Sequence, residues 1–298
     1  MGPEDFWYGA RLGIHLHGKG GWTEVVVPEG DALRMTAALL DGVLAGRRLV
    51  RGELRWPTVA AANLAGRIVR HTRPFGKHLL TRLDDDRTLH SHLRMDGAWR
   101  VVPTGSRPAE ARSPHVRALL ATEADTALGL DLGMLDLVPT AREHELVGHL
   151  GPDLLDDSFD TGAGEPGPGL VEAVTRWGRC GATSACDVLL DQRVVAGIGT
   201  IWLAESLFAH RIFPWTPADE VDPVVVLRTA RRLMQASVAG HPTIRVHGHR
   251  GRPCPRCGTP VARGQARRPP YERPVFWCPT CQAQTSPVGE PPREVAKG

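Results

Sequence analysis

The sequence predicts an α+β chain in three parts: a mainly antiparallel β domain led by one helix, a helical domain, and a small cysteine-bearing hairpin near the C-terminus. Three observations carry this. Leu33, Ala37, Leu40 and Leu44 recur at helical spacing directly after Pro28. Short apolar runs broken by turn residues fill residues 49 to 138 and give way to helical periodicity from Leu170 to Gly240. Two Cys-x-x-Cys pairs then stand twenty residues apart.

Taken in order, residues 1 to 26 show no sustained period and contain six glycines, so this stretch looks foreign to the fold that follows. Pro28 and Gly46 flank the first helix as start and stop signals. The strings IVRHTRPFGKHLLTRL, RTLHSHLRMDGAWRVV and ADTALGLDLG read as antiparallel strands, with Gly76-Lys77 expected on a strand and Met95 at a hairpin turn. Residues 150 to 169 are rich in Gly, Pro and Asp and read as an inter-domain linker. Beyond it, apolar helical stretches lie on both sides of Ala196-Gly197-Ile198-Gly199, a glycine turn whose backbone amides could approach a phosphate. The expected division is 1–27 as an extension outside the working fold, 28–149 as the β domain, 150–245 as the helical domain, 246–285 as the cysteine hairpin, and 286–298 as a disordered tail.

At 298 residues and 42% hydrophobic content, the chain can bury real cores. No apolar run is long enough for a membrane span, and the N-terminus lacks the continuous apolar segment of a secretion signal, so the expectation is a cytoplasmic protein without membrane partners. A formal charge of +3 says little, but its distribution is uneven. Residues 245 to 273 hold eight Arg against one acidic residue, Glu272, whereas Asp84 to Asp86 and the segment from Asp153 to Asp160 are acidic. The basic segment suits either a nucleic-acid face or a solvated arginine-rich surface.

Six cysteines in such a protein favour metal ligation over disulfides. Cys254-Pro255-Arg256-Cys257 and Cys278-Pro279-Thr280-Cys281 have the spacing of a four-thiolate zinc ribbon, each turn supplying two ligands of a tetrahedron. With all four positions taken by thiolates, one Zn²⁺ here would be structural. The intervening segment carries Arg263, Arg267, Arg268 and Arg273, which predicts a two-stranded hairpin with a basic tip. Cys180 and Cys186 stand apart and are assigned to packing.

Together, Pro28-Glu29-Gly30-Asp31, Gly76-Lys77, Leu189-Leu190-Asp191-Gln192 leading into Ala196-Gly197-Ile198-Gly199, and RPVFWCPTCQ from Arg273 to Gln282 resemble the formamidopyrimidine-DNA glycosylase and endonuclease VIII family, nearer its endonuclease VIII branch. The likeness runs from Pro28 to about Gln284. It implies an N-terminal β-sandwich bearing a leading catalytic helix, a helix-two-turn-helix domain and a zinc hairpin finger. It also implies a monomeric bifunctional glycosylase and abasic-site lyase acting on damaged double-stranded DNA. In that family an N-terminal proline amine attacks the sugar C1′, expels the base and holds the sugar as a Schiff base through β- and then δ-elimination.

Carried over residue by residue, the resemblance makes Pro28 the nucleophile and Glu29 the general acid/base. Lys77 becomes a phosphate-contacting lysine that assists the chemistry, and Arg273 a finger arginine that grips flanking phosphates. The phosphate loop would use Gly199 and Thr200, and Met95, with Arg94 beside it, would fill the gap left by the extruded base. The same residues suit plainer roles: a helix-starting proline, a carboxylate compensating a helix dipole, and a methionine plugging a core. A proline nitrogen inside a peptide bond is an amide, so the chemistry requires residues 1 to 27 to be absent, as they would be if Val27 were a GTG start codon.

Two departures bear on function. The family has Asn after Gly199, whereas Thr200 offers a hydroxyl able to cap the next helix but no amide N–H₂ donor, which predicts a weaker phosphate grip. The stretch from Gly240 to Cys254 leaves no room for a long loop over an extruded purine, which favours oxidised pyrimidines. An oxidised-purine glycosylase, a catalytically impaired damaged-DNA-binding protein of the same fold and an unrelated zinc-ribbon regulator are the alternatives.

Overall fold

The computed structural model describes residues 28–106, 112–160, 165–268 and 270–283. The expected extension at 1–27 and the tail at 286–298 lie outside these residues. The chain forms two compact units. One holds Pro28 and Ala32–His149; the other holds Glu29–Asp31 and everything from Leu150 onward.

The first unit is built on helix α1 (Gly30–Leu44), from Ala32 onward, and two four-stranded antiparallel sheets. Strands β1 (Arg51–Leu54), β6 (Val116–Ala121), β7 (Asp125–Leu130) and β5 (Ala98–Pro103) form one sheet, in the order β1-β6-β7-β5. Strands β2 (Val69–Phe75), β3 (His78–Leu83), β4 (Arg87–His92) and β8 (Met134–Pro139) form the other, in the order β2-β3-β4-β8. The β4–β5 connection therefore carries the chain from one sheet to the other.

Alternation along each strand sends one set of side chains inward. Leu54, Leu79, Leu83, Leu89, Leu120 and Leu135 form a single core with Leu33, Ala37, Leu40 and Leu44 of α1. Burying each leucine contributes about 1.5–3 kcal/mol, so the apolar stripe of α1 is what holds it on the sandwich. Asp41 on α1 also accepts a 2.7 Å hydrogen bond from the Thr72 N–H of β2, a strand at the edge of its sheet.

The outward face of the β2-β3-β4-β8 sheet carries Arg73, Arg82, Thr88 and His90 around the buried Leu80. There the short helix α2 (Glu143–Val147) places Glu143 over the strands, where it accepts from Arg82 at 2.6 and 2.7 Å, Thr88 at 2.6 Å and Arg73 at 2.9 Å. Burial alone would raise the Glu143 carboxyl, but these donors overcome it and hold the group down at about 2.

The second unit contains α3 (Pro168–Trp177), α4 (Ala185–Leu190), α5 (Thr200–Ala209), α6 (Pro223–Val238) and the hairpin β9 (Ala262–Ala266) with β10 (Arg273–Trp277). Helix α5 is buried along nearly its whole length, in keeping with residues that are apolar all round. Asp222 caps α6 by accepting from the N–H groups of Val224 and Val225, and Pro223 occupies its first turn.

Residues 150 to 160 of the stretch read as a linker instead pack into this unit. Leu154, Leu155 and Phe159 are buried, Arg231 of α6 donates to the carbonyls of Leu154 and Asp156, and Arg228 pairs with Asp160 at 2.8 Å. Asp153 and Asp156 accept from the N–H groups of Leu155 and Ser158, so part of its Asp content serves tight turns. No helix among the described residues is long and apolar enough to cross a membrane.

Candidate functional site

Glu29 is 1% exposed and belongs to the second unit. Its carboxylate caps the amino end of α5, accepting from the N–H of Ile201 at 2.7 Å, Gly199 at 2.9 Å and Trp202 at 3.3 Å. The first turn of a helix leaves such donors unsatisfied, and an anion there is favoured by the dipole as well. The Gly30 N–H donates to the Gly197 carbonyl at 2.9 Å, and Asp31 accepts from Ser237 at 2.7 Å, so three consecutive residues after Pro28 are anchored to this unit.

Gly199 makes the arrangement possible. A Cβ at that position would stand 2.4 Å from Glu29 Cδ. Gln192 holds the glycine turn in shape, donating to the Ile198 carbonyl at 2.9 Å and accepting from the Gly197 N–H at 3.0 Å.

Thr200 is the first helical residue, and Gly199, not Thr200, stands at the cap position. The expectation that the Thr200 hydroxyl caps α5 is therefore corrected: Glu29 meets the N–H groups that such a cap would serve. The backbone of Thr200 hydrogen-bonds the His247 imidazole, which burial nevertheless pushes down to about 4.

In the first unit, Lys77 lies in the two-residue turn joining β2 to β3, not within a strand. Gly76 precedes it with φ +55°, the left-handed conformation that tight hairpins assign to glycine. Lys77 is half-buried at this turn.

Met95 and Arg94 occupy the turn between β4 and β5, closed by the Gly97 N–H donating to the Leu93 carbonyl at 3.0 Å. Met95 is 45% exposed, so it does not plug a core. Arg94 has φ +54°, and its aliphatic stem lies so close to Gly133 that a Cβ there would come within 2.4 Å of Arg94 Cγ. An exposed apolar side chain on a tied turn is suited to insertion into a partner.

The four finger cysteines converge. Their sulfurs all lie within 4.8 Å of one another, with Cys257 and Cys278 at 3.4 Å and Cys254 and Cys281 at 3.9 Å. A tetrahedral Zn²⁺ with thiolates at ~2.3 Å sets sulfurs about 3.8 Å apart, so the donor set fits that ion. The N–H groups of Arg256 and Cys281 point at Cys254 and Cys278 sulfurs, each at 3.4 Å. Among the described residues this is the group able to hold a metal. Arg263, Arg267, Arg268 and Arg273 are exposed on the hairpin and its loop.

Two further residues tie the finger to α5. Glu205, 3% exposed, accepts from the N–H of Val246 and His247 at 2.9 Å and of Arg245 at 3.0 Å, which fastens the chain entering the finger. Arg256, inside the first cysteine knuckle, donates to the carbonyls of Phe208 and Ala209 at the carboxyl end of α5 and stacks 4.1 Å from the Phe208 ring centre. The sequence reading missed both; a lone acidic residue in an otherwise apolar helix was the available signal for Glu205.

A two-sheet sandwich with a leading helix, plus a helical unit carrying a four-cysteine hairpin, defines a fold class that can be compared with known proteins. Residues 27–131 match the formamidopyrimidine-DNA glycosylase N-terminal domain. The chain is 40% identical to a probable endonuclease 8 of Streptomyces coelicolor, covering 88% of this chain and 96% of that protein. It is 33% identical to a DNA-(apurinic or apyrimidinic site) lyase of Mycolicibacterium smegmatis, over 86% and 99% of the two chains. In fold it is similar to the Lactococcus lactis formamidopyrimidine-DNA glycosylase crystallised with DNA containing an N7-benzyl-Fapy-dG, with a TM-score of 0.71 at 20% identity, covering 86% of this chain and all of that one. The chain belongs to the formamidopyrimidine-DNA glycosylase and endonuclease 8 family.

Proposed function

We propose that this protein is a bifunctional DNA glycosylase and abasic-site lyase of base excision repair that acts on oxidised bases in double-stranded DNA, pyrimidines foremost. The observation that carries the reading is the Glu29 carboxylate, held by three amide N–H groups immediately after a proline, in a chain 40% identical to a protein named as an endonuclease 8.

In this reading the secondary amine of Pro28 attacks C1′ of the damaged nucleotide. The C1′–base bond breaks, its electron pair and a proton leave with the base, and Glu29 protonates the opened sugar oxygen. The resulting iminium holds C1′ while elimination breaks the strand. Lys77 and Arg273 bind phosphates as a point charge and a planar fork, and Met95 fills the vacated stack with Arg94 beside it. The amides around Gly199 and Thr200 hold Glu29 and the phosphate loop. Zn²⁺, bound by Cys254, Cys257, Cys278 and Cys281, would shape the finger and take no part in the reaction.

The absence of a long loop between Gly240 and Cys254 supports the pyrimidine preference. A second reading, a catalytically silent protein that binds damaged DNA, is favoured by the peptide bond that blocks Pro28 in the sequence as given.

Borohydride trapping separates the two. The full chain and a chain beginning at Pro28 are each mixed with duplex DNA bearing thymine glycol or an abasic site. A covalent adduct mapping to Pro28 in the shorter chain supports catalysis. If neither chain traps while both bind lesion DNA, the binding reading replaces it.

A further inference from the structure

The mechanism above leaves unused a chain of histidines on the outward face of the β2-β3-β4-β8 sheet. His78 on β3 pairs with His92 on β4, and His90 on β4 pairs with Asp136 on β8. With a side-chain period of two, all four project from the same face. His90 is 1% exposed. Its Nδ1 lies 2.9 Å from Asp136 Oδ2 and its Nε2 lies 2.8 Å from His78 Nδ1. The His78 and His90 rings stack at 5.0 Å, and His92 meets His78 edge-on at 4.8 Å.

The partners fix the tautomers. An ionised carboxylate only accepts, so His90 Nδ1 carries the hydrogen that Asp136 receives. The Nε2 of the neutral ring then accepts, and the hydrogen between the two rings belongs to His78 Nδ1. His78 Nε2 is left with its lone pair, one residue from Lys77.

A positive charge on His78 is disfavoured. Burial first, then His92, His90, His149 and Lys77, bring its imidazole down to about 3, and burial together with Lys77, His90 and Arg94 brings His92 down to about 4. The same charge placed one ring further along, on His90, faces the Asp136 carboxylate instead.

We propose that His78, His90 and Asp136 form a proton relay that opens beside Lys77 and takes up a proton released when the DNA strand is cut. The proposal rests on the lyase reading given above. β-Elimination breaks the C2′–H bond of the Schiff-base sugar. That electron pair forms the C2′=C3′ bond, and the C3′–O bond breaks with its pair leaving on the phosphate. The proton passes to His78 Nε2, directly or through one water. The His78 Nδ1–H bond breaks and its proton bonds to His90 Nε2, so the charge rests on His90 against Asp136. After the product leaves, the reverse transfer returns the proton to solvent. δ-Elimination breaks a second C–H bond, and Glu29 holds one proton at a time, so a further acceptor has a use. His90 and Asp136 act through His78 and are positioning residues.

The test uses whichever form of the protein traps DNA under borohydride, as wild type and as Asp136→Asn, His90→Gln and His78→Gln. Three quantities are measured: Schiff-base trapping, the pH profile of single-turnover nicking at an abasic site, and the histidine tautomers by nitrogen-detected NMR. The relay predicts trapping within about twofold of wild type in all three variants. Nicking slows roughly 100-fold in His78→Gln, the low end for a general base, and on the order of tenfold in the other two, with a changed pH profile. Wild-type His78 carries its hydrogen on Nδ1. Asp136→Glu, which keeps the acceptor, recovers nicking even if Asp136→Asn folds poorly.

Unchanged nicking and pH profiles with intact trapping overturn the relay, as does a His78 hydrogen on Nε2 in the resting protein. A wild-type protein that traps nothing refutes the lyase reading itself, and the relay's role falls with it.

Discussion

Replacing Gly199 with alanine tests the Glu29 pocket with a single methyl group. The backbone at Gly199 is extended, with φ −129°, so alanine meets no conformational penalty of the left-handed kind. The obstacle is contact: the added Cβ would stand 2.4 Å from Glu29 Cδ, 2.5 Å from Oε1 and 2.7 Å from Cγ. The carboxylate must move, and it is the acceptor for three amide N–H groups. Hydrogen bonds to a charged group contribute about 1.5–3 kcal/mol each. If one survives relaxation, the net loss is about 3–6 kcal/mol. A kilocalorie shifts the melting temperature of a 150–250-residue domain by about 2–4 °C, so the lower figure corresponds to a fall of about 6–12 °C.

The assay is a double-mutant cycle by thermal unfolding, with Glu29→Ala as the second change. All three atoms nearest the new methyl belong to Glu29, so removing that side chain should make Gly199→Ala nearly neutral, within about 0.5 kcal/mol. If Gly199→Ala costs as much without Glu29 as with it, the clash lies elsewhere and the account of the pocket is wrong.

Three further outcomes are expected. Glu143 is held at about 2 in the fold against an ordinary value of 4.5, so its contribution is complete above pH 4.5 and is lost as pH falls from 4.5 toward 2. Allowing for the partly exposed arginines, this is about 2 kcal/mol, and Glu143→Gln should flatten the acid side of the stability curve measured by chemical denaturation. Metal analysis should find one zinc per chain, and Cys281→Ser should lose the metal and lower the melting temperature, whereas Cys180→Ser should change neither. Arg273→Ala should weaken binding to lesion-bearing duplexes about equally across flanking sequences and reduce the salt dependence of binding by a slope of about 1, read from fluorescence anisotropy at several salt concentrations.

Elements with a strong period were readable from residues alone. The stripe Leu33, Ala37, Leu40 and Leu44 is buried as a helix face, and the strings around His78, His90 and Ala127 are strands. The two Cys-x-x-Cys turns likewise bring four sulfurs together, because each turn fixes its own pair locally.

Two misreadings have different causes. Gly76-Lys77 is a turn because a glycine with positive φ closes a hairpin between two apolar runs, a local signal that was present but read as strand. Residues 150 to 160 have the composition of a loop, yet Arg228 and Arg231, some seventy residues later, supply the partners that bury them. No window of sequence contains both halves of that interaction. The histidine chain lies between these cases. His90 and His92 are two apart on a strand and must share a face, but the third and fourth members, His78 and Asp136, arrive only through sheet register.

Helix α5 shows why Thr200 is compatible with an ordered pocket. Its amino end is capped by a carboxylate from another part of the chain, its middle carries Glu205, which clamps residues 245 to 247, and its last carbonyls are met by Arg256 of the first cysteine knuckle. Each of these contacts engages backbone donors or acceptors that a helix of this length cannot satisfy internally, or a buried carboxylate that needs three donors. The helix is therefore held by fixed partners along its length, and its position does not depend on the residue that follows Gly199. Thr200 offers a hydroxyl and no amide N–H₂ donor, while the amides of Gly199, Ile201 and Trp202 are aligned on Glu29. The consequence of Thr200 should accordingly fall on affinity for phosphate, not on the placement of the acid.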